Sequence, residues 1–539
     1  MTVNDVLVFY VNSVLIFTGY KTKDMNFKKT GIFSLLAAGS VSTCTGPANE
    51  KQPAERFNVL IFTVDDMRDY AGFLNGYGGE VYAPHMDRLA AQGVAFTNAH
   101  VTATVCCPSR NSFLTGLRPS TSGLYNNGQW WKAARPDIVS MPQYFKNNGY
   151  YSAGAGKVFH HTPGNNPPCS WDEFQDQVFD DPWYFQDWSP EKYWLDFGYR
   201  DPKVPMPDWK PLNGIPKLGN NDWGPIPGKE EKDYGDVQVV NYAQDFLARE
   251  HEKPFFLVLG TYRPHVPLHV PQKYFDMYPL DSIVLPTIKE DDLDDIPEEG
   301  RKLAMDGNSA FVKIKEYGKY KEALQAYLAS ITFADAQLGA VLDLLEKSRY
   351  AENTIVVFWS DHGWHHGTKQ HWAKQTLWEE CTRIPFIIKV PGEEYTDNIC
   401  TRPVDMVNVF PTLISLCGLP SLEGLDGHDM SPLLKDPQAA WEYPAITEIK
   451  VGNVAVRSQN WRYIHYRDGS EELYDKTKDP FDWYNLAGDE KYKDVIEEHK
   501  KWLPDSFASP VPSKQSFYFD PGTYTYMDRV TGAFVDGRK

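Results

Sequence analysis

The sequence is short of positive charge. Its 54 Lys and Arg stand against 72 Asp and Glu, a net charge of −18. A surface that gathers polyanions without selectivity would be basic, so nucleic acid is not expected as a partner. Any anionic ligand must instead be caught by a local cationic pocket. Long apolar runs are lacking too: residues 6–20, VLVFYVNSVLIFTGY, are too short to span a bilayer comfortably. No internal repeats are evident. Cysteine is sparse, at seven residues. Apart from Cys44 in the N-terminal segment and Cys106, which opens a Cys-Cys-Pro stretch, Cys107, Cys169, Cys381, Cys400 and Cys417 remain. At most two disulfides can form among these five, and the sequence dictates no pairing.

Aromatic residues are plentiful, at 14% with 16 Trp. Exported proteins rich in aromatics often bind sugars, although packing uses such residues as well. Apolar content, at 42%, is ordinary for a globular protein. The 539 residues give room for one large domain and a smaller one.

The front of the chain reads as an export signal. Met25-Asn26-Phe27-Lys28-Lys29 is a basic start, Ile32 to Ala38 an apolar core, and small residues lead to Cys44. Residues 1–24 are expected to be a non-native upstream extension, 25–44 the signal and 45–55 a polar linker. Val41-Ser42-Thr43-Cys44 resembles a bacterial lipobox, though Thr43 departs from its usual small residue. Export to the periplasm or cell surface follows, either as a free protein or with a lipid anchor on Cys44.

The rest of the chain is organised around Cys106-Cys107-Pro108-Ser109-Arg110-Asn111-Ser112-Phe113-Leu114-Thr115-Gly116. Pro is favoured in the first turn of a helix, so a short helix is predicted to start here. Cys106 then sits at the end whose free N–H groups favour anions. Arg110 falls four residues on, on the same helix face.

Around this stretch, Phe57 to Val64 and Ile355 to Trp359 are continuous apolar runs, the mark of strands buried on both faces. The first ends in Asp65-Asp66 and the second in Ser360-Asp361-His362. Adjacent acids at a buried strand end are costly unless a cation holds them. Further strands are predicted at Tyr150 to Ala155, running into Lys157 and His160, and at Pro254 to Gly260, running into His265. A strand is also expected at Pro385 to Lys389. Helices are expected at Pro84 to Gln92, Pro142 to Asn147, Tyr242 to Arg249 and Lys321 to Lys347, the last serving as packing. Residues 161–235, crowded with Trp, Pro, Asp and Gly, read as an irregular substrate-side insert.

Strands alternating with helices imply an α/β fold, a parallel sheet with helices on both faces. Ligands bind beyond the carboxyl ends of such strands. Asp65, Asp66, Lys157, His265, Asp361 and His362 should therefore converge at one edge. Three aspartates are hard oxygen ligands suited to Ca²⁺ or Mg²⁺, and Zn²⁺ would want more His or Cys than this set offers.

The stretch at 106–116 resembles the Cys-x-Pro-Ser-Arg-x-x-x-Leu-Thr-Gly signature of type I sulfatases. From about Phe57 to Pro391 the order of motifs is similar to that of iduronate-2-sulfatase and its bacterial relatives. The resemblance implies an alkaline-phosphatase-like, mostly parallel sheet between helices. It puts a catalytic domain at 56–430 and a C-terminal subdomain with a small antiparallel sheet at 431–539. Within that subdomain, strands are expected at Asn453 to Arg457, Trp461 to His465 and Glu472 to Tyr474, and a helix near Tyr492 to Leu503. The resemblance further implies that a separate maturation enzyme oxidises Cys106 to formylglycine, which works as its hydrate, with Cys107 the variable position. It adds His362 and position 106 to the metal ligands, although imidazole is a soft donor for Ca²⁺. It assigns catalytic roles to Arg110, Lys157, His160, His265 and Lys374.

The implied reaction cleaves a sulfate ester of a sulfated glycan, one containing uronic acid. The hydrate attacks sulfur, with His160 orienting it or taking its proton. His265, with Lys374 nearby, protonates the leaving sugar oxygen. Two alternatives stand beside this one: a formylglycine-dependent phosphodiester or phosphonate ester hydrolase, and a non-catalytic glycan-binding lipoprotein. Specificity is expected around His365-His366-Gly367-Thr368-Lys369 and in the 161–235 insert.

Overall fold

The computed structural model describes residues 56–176, 211–393, 395 and 397–539. The upstream extension, the export signal with Cys44, the linker at 45–55 and residues 177–210 of the insert lie outside the described residues.

The strands of the first part of the chain are β1 (Asn58–Val64), β2 (Val94–Phe96), β3 (Ala99–His100), β4 (Tyr151–Gly156), β5 (Glu173–Gln175), β6 (Phe255–Gly260), β7 (Thr354–Ser360), β8 (Phe386–Lys389), β9 (Ile399–Cys400) and β10 (Val404–Asp405). Eight of them form one sheet in the order β5-β4-β6-β1-β7-β8-β2-β9. β1 is parallel to β6 and β7, β4 is parallel to β5 and β6, and β2 is parallel to β9. β8 runs antiparallel to both β7 and β2, so the sheet is mixed but mostly parallel.

Every residue of β1 is buried. Val59 and Ile61 enter one core, while Leu60, Phe62 and Val64 enter the other. A strand apolar on both sides belongs in the middle of a doubly covered sheet, and β1 lies there. One face carries helices Pro84–Gln92, Gly235–Ala248 and Tyr320–Glu346. The other carries Cys106–Thr115, Met141–Asn147 and Val409–Leu416. The expected alkaline-phosphatase-like sandwich is therefore the observed fold.

A second sheet, β11 (Ala445–Ile449), β12 (Asn453–Arg457), β13 (Trp461–His465) and β14 (Glu471–Asp475), is antiparallel throughout and covered by helix Lys493–Lys500. It grips the segment that leads into helix Cys106–Thr115. Glu448 N donates to Thr102 O at 2.8 Å, and the Glu448 carboxylate accepts from Ser120 N at 2.8 Å and Ser120 Oγ at 2.6 Å. A last sheet, β15 (Phe517–Asp520), β16 (Thr525–Asp528) and β17 (Phe534–Asp536), packs Phe517, Phe519 and Tyr526 around Trp130.

Four differences from the sequence reading have local causes. Glu173–Gln175, inside the supposedly irregular insert, adds β5 to the sheet edge by pairing with β4. The helix expected from Tyr242 begins at Gly235, because Val239 and Val240 already face the core. Helices Glu298–Asp306 and Asn308–Glu316 escape notice, since each buries only two or three side chains. The cysteines form no disulfide among the described residues; Cys106, Cys107, Cys169, Cys381, Cys400 and Cys417 are all buried free thiols.

Candidate active site

Helix Cys106–Thr115 starts at the cysteine itself and ends at Gly116, whose φ of 70° is left-handed. Phe113 stacks on Trp359 of β7 at 3.9 Å, which docks the helix on the sheet. Position 106 then faces the carboxyl ends of β1 and β7. Cys107 turns away: Asn111 Nδ2 donates to its sulfur at 3.4 Å, and its N–H donates to Asn127 Oδ1 at 2.9 Å.

Asp65 and Asp66 follow β1 directly, and both are fully buried. Asp66 has a φ of 61°, a region that few residues other than glycine adopt. Its backbone is fixed there from two sides. Its N–H donates to Asp361 Oδ1 at 3.0 Å, and its carbonyl accepts from Tyr327 Oη at 2.7 Å. This turn brings two consecutive carboxylates onto one site. Helix Tyr320–Glu346 is thus more than the packing element expected, since Tyr327 on it holds the turn. A lone Tyr in a leucine-rich helix gave no signal of this.

The cations arrive from three directions. Arg110, one helical turn from Cys106, lies fully buried, with Nε 3.0 Å from Asp361 Oδ2 and Nη2 3.5 Å from Asp65 Oδ1. Lys157, just past β4, contacts Asp65. It can do so because β4 and β6 end in facing glycines: a Cβ on Gly156 would come within 2.1 Å of Gly260 O. Lys374 Nζ lies 2.8 Å from Asp66 Oδ1 and 2.9 Å from Cys106 Sγ. Each aspartate therefore has a cationic partner, and Asp65 also meets Arg110. Lys157 and Asp65 are neutral as a pair whichever atom holds the proton, so with Asp66 and Asp361 ionised the three pairs sum to zero.

Burial disfavours the charged form of the three histidines placed at this edge. Burial keeps His160, His265 and His362 below their usual range, reinforced at His160 by Lys157 and at His265 by Lys374; His362 falls to about 3. His265 Nδ1 donates to Val266 O at 2.5 Å, which leaves its Nε2 lone pair 3.7 Å from Asp66 Oδ2. His362 Nε2 lies 3.3 Å from Cys106 Sγ. His160 is 6% exposed, and its Nδ1 has no hydrogen-bond partner. Burial, opposed by Lys374, pushes the Cys106 thiol up to about 12. Burial, again opposed by Lys374, lifts Asp66 to about 7. At Asp361 burial is outweighed by His362, Arg110 and Lys157, which hold it well below the carboxylate range.

Ligand atoms of Asp65, Asp66, Cys106 and His362 lie within 4.8 Å of one another, all buried. Asp65 Oδ1 and Asp66 Oδ2 lack any hydrogen-bond partner. Orphaned carboxylate oxygens at such a cluster fit a hard dication. Asp361 borders the cluster, with one oxygen on the Asp66 amide and the other on Arg110.

One expectation is corrected. The stretch His365 to Lys369 cannot read a sugar, because His365, His366 and Lys369 are buried. His365 bonds Thr368 at 2.8 Å and Thr376 at 2.7 Å, while Lys369 Nζ donates to Asp292 at 2.6 Å. With His371, which bonds Lys374 O at 2.8 Å, they brace the loop that delivers Lys374.

A buried reactive position ringed by matched charges, at the carboxyl edge of this fold, defines a hydrolase for esters of oxyanions. Residues 57–419 match the model of the family described as Sulfatase, and residues 364–508 match that described as N-sulphoglucosamine sulphohydrolase, C-terminal. The chain is 37% identical over 523 residues to a protein named "Sulfatase" from Formosa agariphila, covering 95% of this chain and 98% of that one. It is 29% identical over 559 residues to iduronate 2-sulfatase of Mus musculus, covering 86% and 97%. Among solved structures, the phosphonate monoester hydrolase of Agrobacterium radiobacter superposes with a TM-score of 0.67 at 20% identity, covering 83% and 94%. The chain belongs to the sulfatase family and is a sulfuric ester hydrolase.

Proposed function

We propose that this sulfatase removes sulfate from a sulfated, uronic-acid-containing oligosaccharide or polysaccharide, and that it does so through formylglycine made at Cys106 by a separate maturation enzyme. The observation that carries this reading is the contact of Lys374 and His362 with the sulfur of Cys106, inside the intact signature. A thiol in this setting stays protonated and is a weak nucleophile. The similarity to iduronate 2-sulfatase supports the sugar class.

Asp65, Asp66, Asp361, His362 and residue 106 would hold a Ca²⁺ or Mg²⁺ ion, which as a Lewis acid favours an ionised nucleophile and withdraws charge from the sulfuryl oxygens. Formylglycine, as its hydrate, supplies one hydroxyl to attack sulfur and a second to release sulfate. The charges suit this. The three neutral pairs plus a dication carry +2, matched by a sulfate monoester and one ionised hydroxyl.

The protein's own groups then act around that centre. Arg110 and Lys157 hold the sulfuryl oxygens from the side of β1 and β4. Lys374, pushed above the lysine range by Asp66 and Cys106 despite its burial, stays charged beside the reacting atoms. His160 is neutral and can accept the proton of a hydroxyl. His265 must gain a proton to serve as acid; an incoming sulfate anion favours that, and its fixed Nδ1–H leaves Nε2 as the atom that delivers it.

Peptide mass spectrometry of enzyme made with a maturase, together with a panel of defined sulfated saccharides, tests the reading. An aldehyde at 106 and turnover of a sulfated uronate are expected. A free thiol at 106 in fully active enzyme would overturn it.

The superposition on a phosphonate monoester hydrolase keeps one alternative, a formylglycine-dependent phosphonate or phosphodiester hydrolase. Faster turnover of phenyl phosphonate than of phenyl sulfate would favour it. The non-catalytic lipoprotein reading gives way to family membership. Export remains part of the proposal, from the signal at Met25 to Cys44, either as a free protein or with a lipid on Cys44.

A further inference from the structure

The last part of the chain carries a lysine that this chemistry does not use. Val511 N donates to Gly123 O at 3.0 Å, Gln129 Nε2 donates to Val511 O at 2.8 Å, and Lys514 N donates to Gly128 O at 2.6 Å. The same loop, 123–129, supports the reactive helix end, because Asn127 accepts from Cys107 N and Gln129 O accepts from Cys107 Sγ at 3.7 Å. Phe517, three residues on, is anchored against Trp130. Lys514 is thus registered by backbone bonds beside the turn that holds the nucleophile helix, although about 400 residues separate them in sequence.

Its ammonium is half-buried and has no acid to match it. Among the described residues Lys514 forms no ion pair and no side-chain hydrogen bond, and the ionisable group that bears on it is the Cys107 thiol. Its charge also reaches His160, which is 6% exposed and has an unpartnered Nδ1. Arg110, Lys157 and Lys374 each face an aspartate. In a protein of net charge −18, a partly desolvated cation left without a counter-ion calls for an anion from outside. With those three pairs neutral, the charge of the ester to be cleaved is matched by the dication they would hold, so this lysine is surplus to a monoanionic substrate.

We propose that Lys514, together with His160, binds a second anionic group of the substrate, a carboxylate or a further sulfate neighbouring the ester that is cleaved. This rests on the glycan-sulfatase reading above and adds a specificity-determining residue to it.

The test compares matched substrates on matured, metal-loaded enzyme: a 2-sulfated uronate against its methyl ester, and a disulfated against a monosulfated glucosamine. Wild type should prefer the more anionic member of one pair, and that pair names the source of the anion. In Lys514→Ala the preference should vanish through a KM raised ~10–100-fold for the favoured member, the size of a lost hydrogen bond between charged groups. Lys514→Arg should restore it. No preference in wild type, or equal losses on both members of each pair, would overturn the assignment. If nitrophenyl sulfate is turned over and none of the sugars is, the glycan reading fails by itself. The Lys514 variants are then compared on a carboxylated nitrophenyl sulfate and its uncarboxylated parent, where loss of preference for the former upholds the anion site and equal rates reject it.

Discussion

Replacing Arg110 by Met tests whether the candidate site is held together by matched charge. The guanidinium is fully buried. Its Nε donates to Asp361 at 3.0 Å, its Nη1 to Val158 O at 3.1 Å and to Lys157 O, and its Nη2 to Val64 O at 3.3 Å. Met fills much of the same space, so the loss is chiefly electrostatic. Three aspartates then face two lysines. Breaking one side of a buried ion pair costs about 3–5 kcal/mol. Unfolding entropy of roughly 2.1 cal/mol/K per residue gives the unit Glu55–Lys539 about 1 kcal/mol per kelvin. Arg110→Met should therefore lower Tm by about 3–5 °C when measured in chelator. Calcium should shrink that deficit, because a dication on Asp65 and Asp361 takes over the neutralising role. Thermal unfolding of both proteins in EDTA and in calcium reads this out, with far-UV circular dichroism to show that the fold is kept. A variant within about 1 °C of the parent in EDTA would refute the charge-matching argument. A deficit that calcium leaves unchanged would refute a metal at these aspartates.

Other outcomes follow from the same geometry. His265→Ala should lose ~10²–10⁴-fold on a sugar sulfate and far less on nitrophenyl sulfate, whose phenolate leaves unaided; equal losses on the two substrates reject the acid role. Cys106→Ala should be inactive yet folded, with Tm close to that of the parent, and residual turnover at the wild-type rate would remove position 106 from the chemistry. Glu448 is lifted to about 7 by burial, despite its bonds from Ser120, so its share of stability is full below about pH 4.5 and is lost as pH rises through 7. Glu448→Gln should flatten that decline between pH 5 and 8 in a series of Tm measurements, and parallel curves would contradict it. Metabolic palmitate labelling that persists in Cys44→Ala would exclude the proposed lipid site.

The C-terminal sheet bears on position 106 through the segment that carries it rather than through side chains placed in the site. Glu448 is bonded to both ends of the segment Thr102 to Ser120, which contains helix Cys106–Thr115. Val105, the residue before Cys106, packs in the core that Ile449, Ala455 and Ile464 of that sheet build. The subdomain therefore acts as a clamp on the helix, and the chain beyond it returns to bond Lys514 N to Gly128 O, in the loop that also holds Cys107 N.

The amino-acid sequence determined the strands that build the centre. β1 and β7 were legible because their apolar runs have no polar alternation, which leaves the middle of a covered sheet as their place. It also determined that Cys106 and Arg110 share a helix face, since a four-residue spacing guarantees it. The convergence of Asp65, Lys157, His265 and Asp361 followed from topology, because parallel strands end at one edge.

What lay beyond reach came from long-range contacts. The pairing of each aspartate with its own cation, the left-handed turn at Asp66 locked by Tyr327, and the burial of His365 and Lys369 behind the Lys374 loop leave no local pattern. Nor does Lys514, whose N–H bonds Gly128 O in the loop at 123–129. Hydrophobic periodicity reports what a residue's neighbours in sequence do. The charge state and partners of a buried group depend on which distant carboxylates and carbonyls the fold closes around it, and only the tertiary structure decided that.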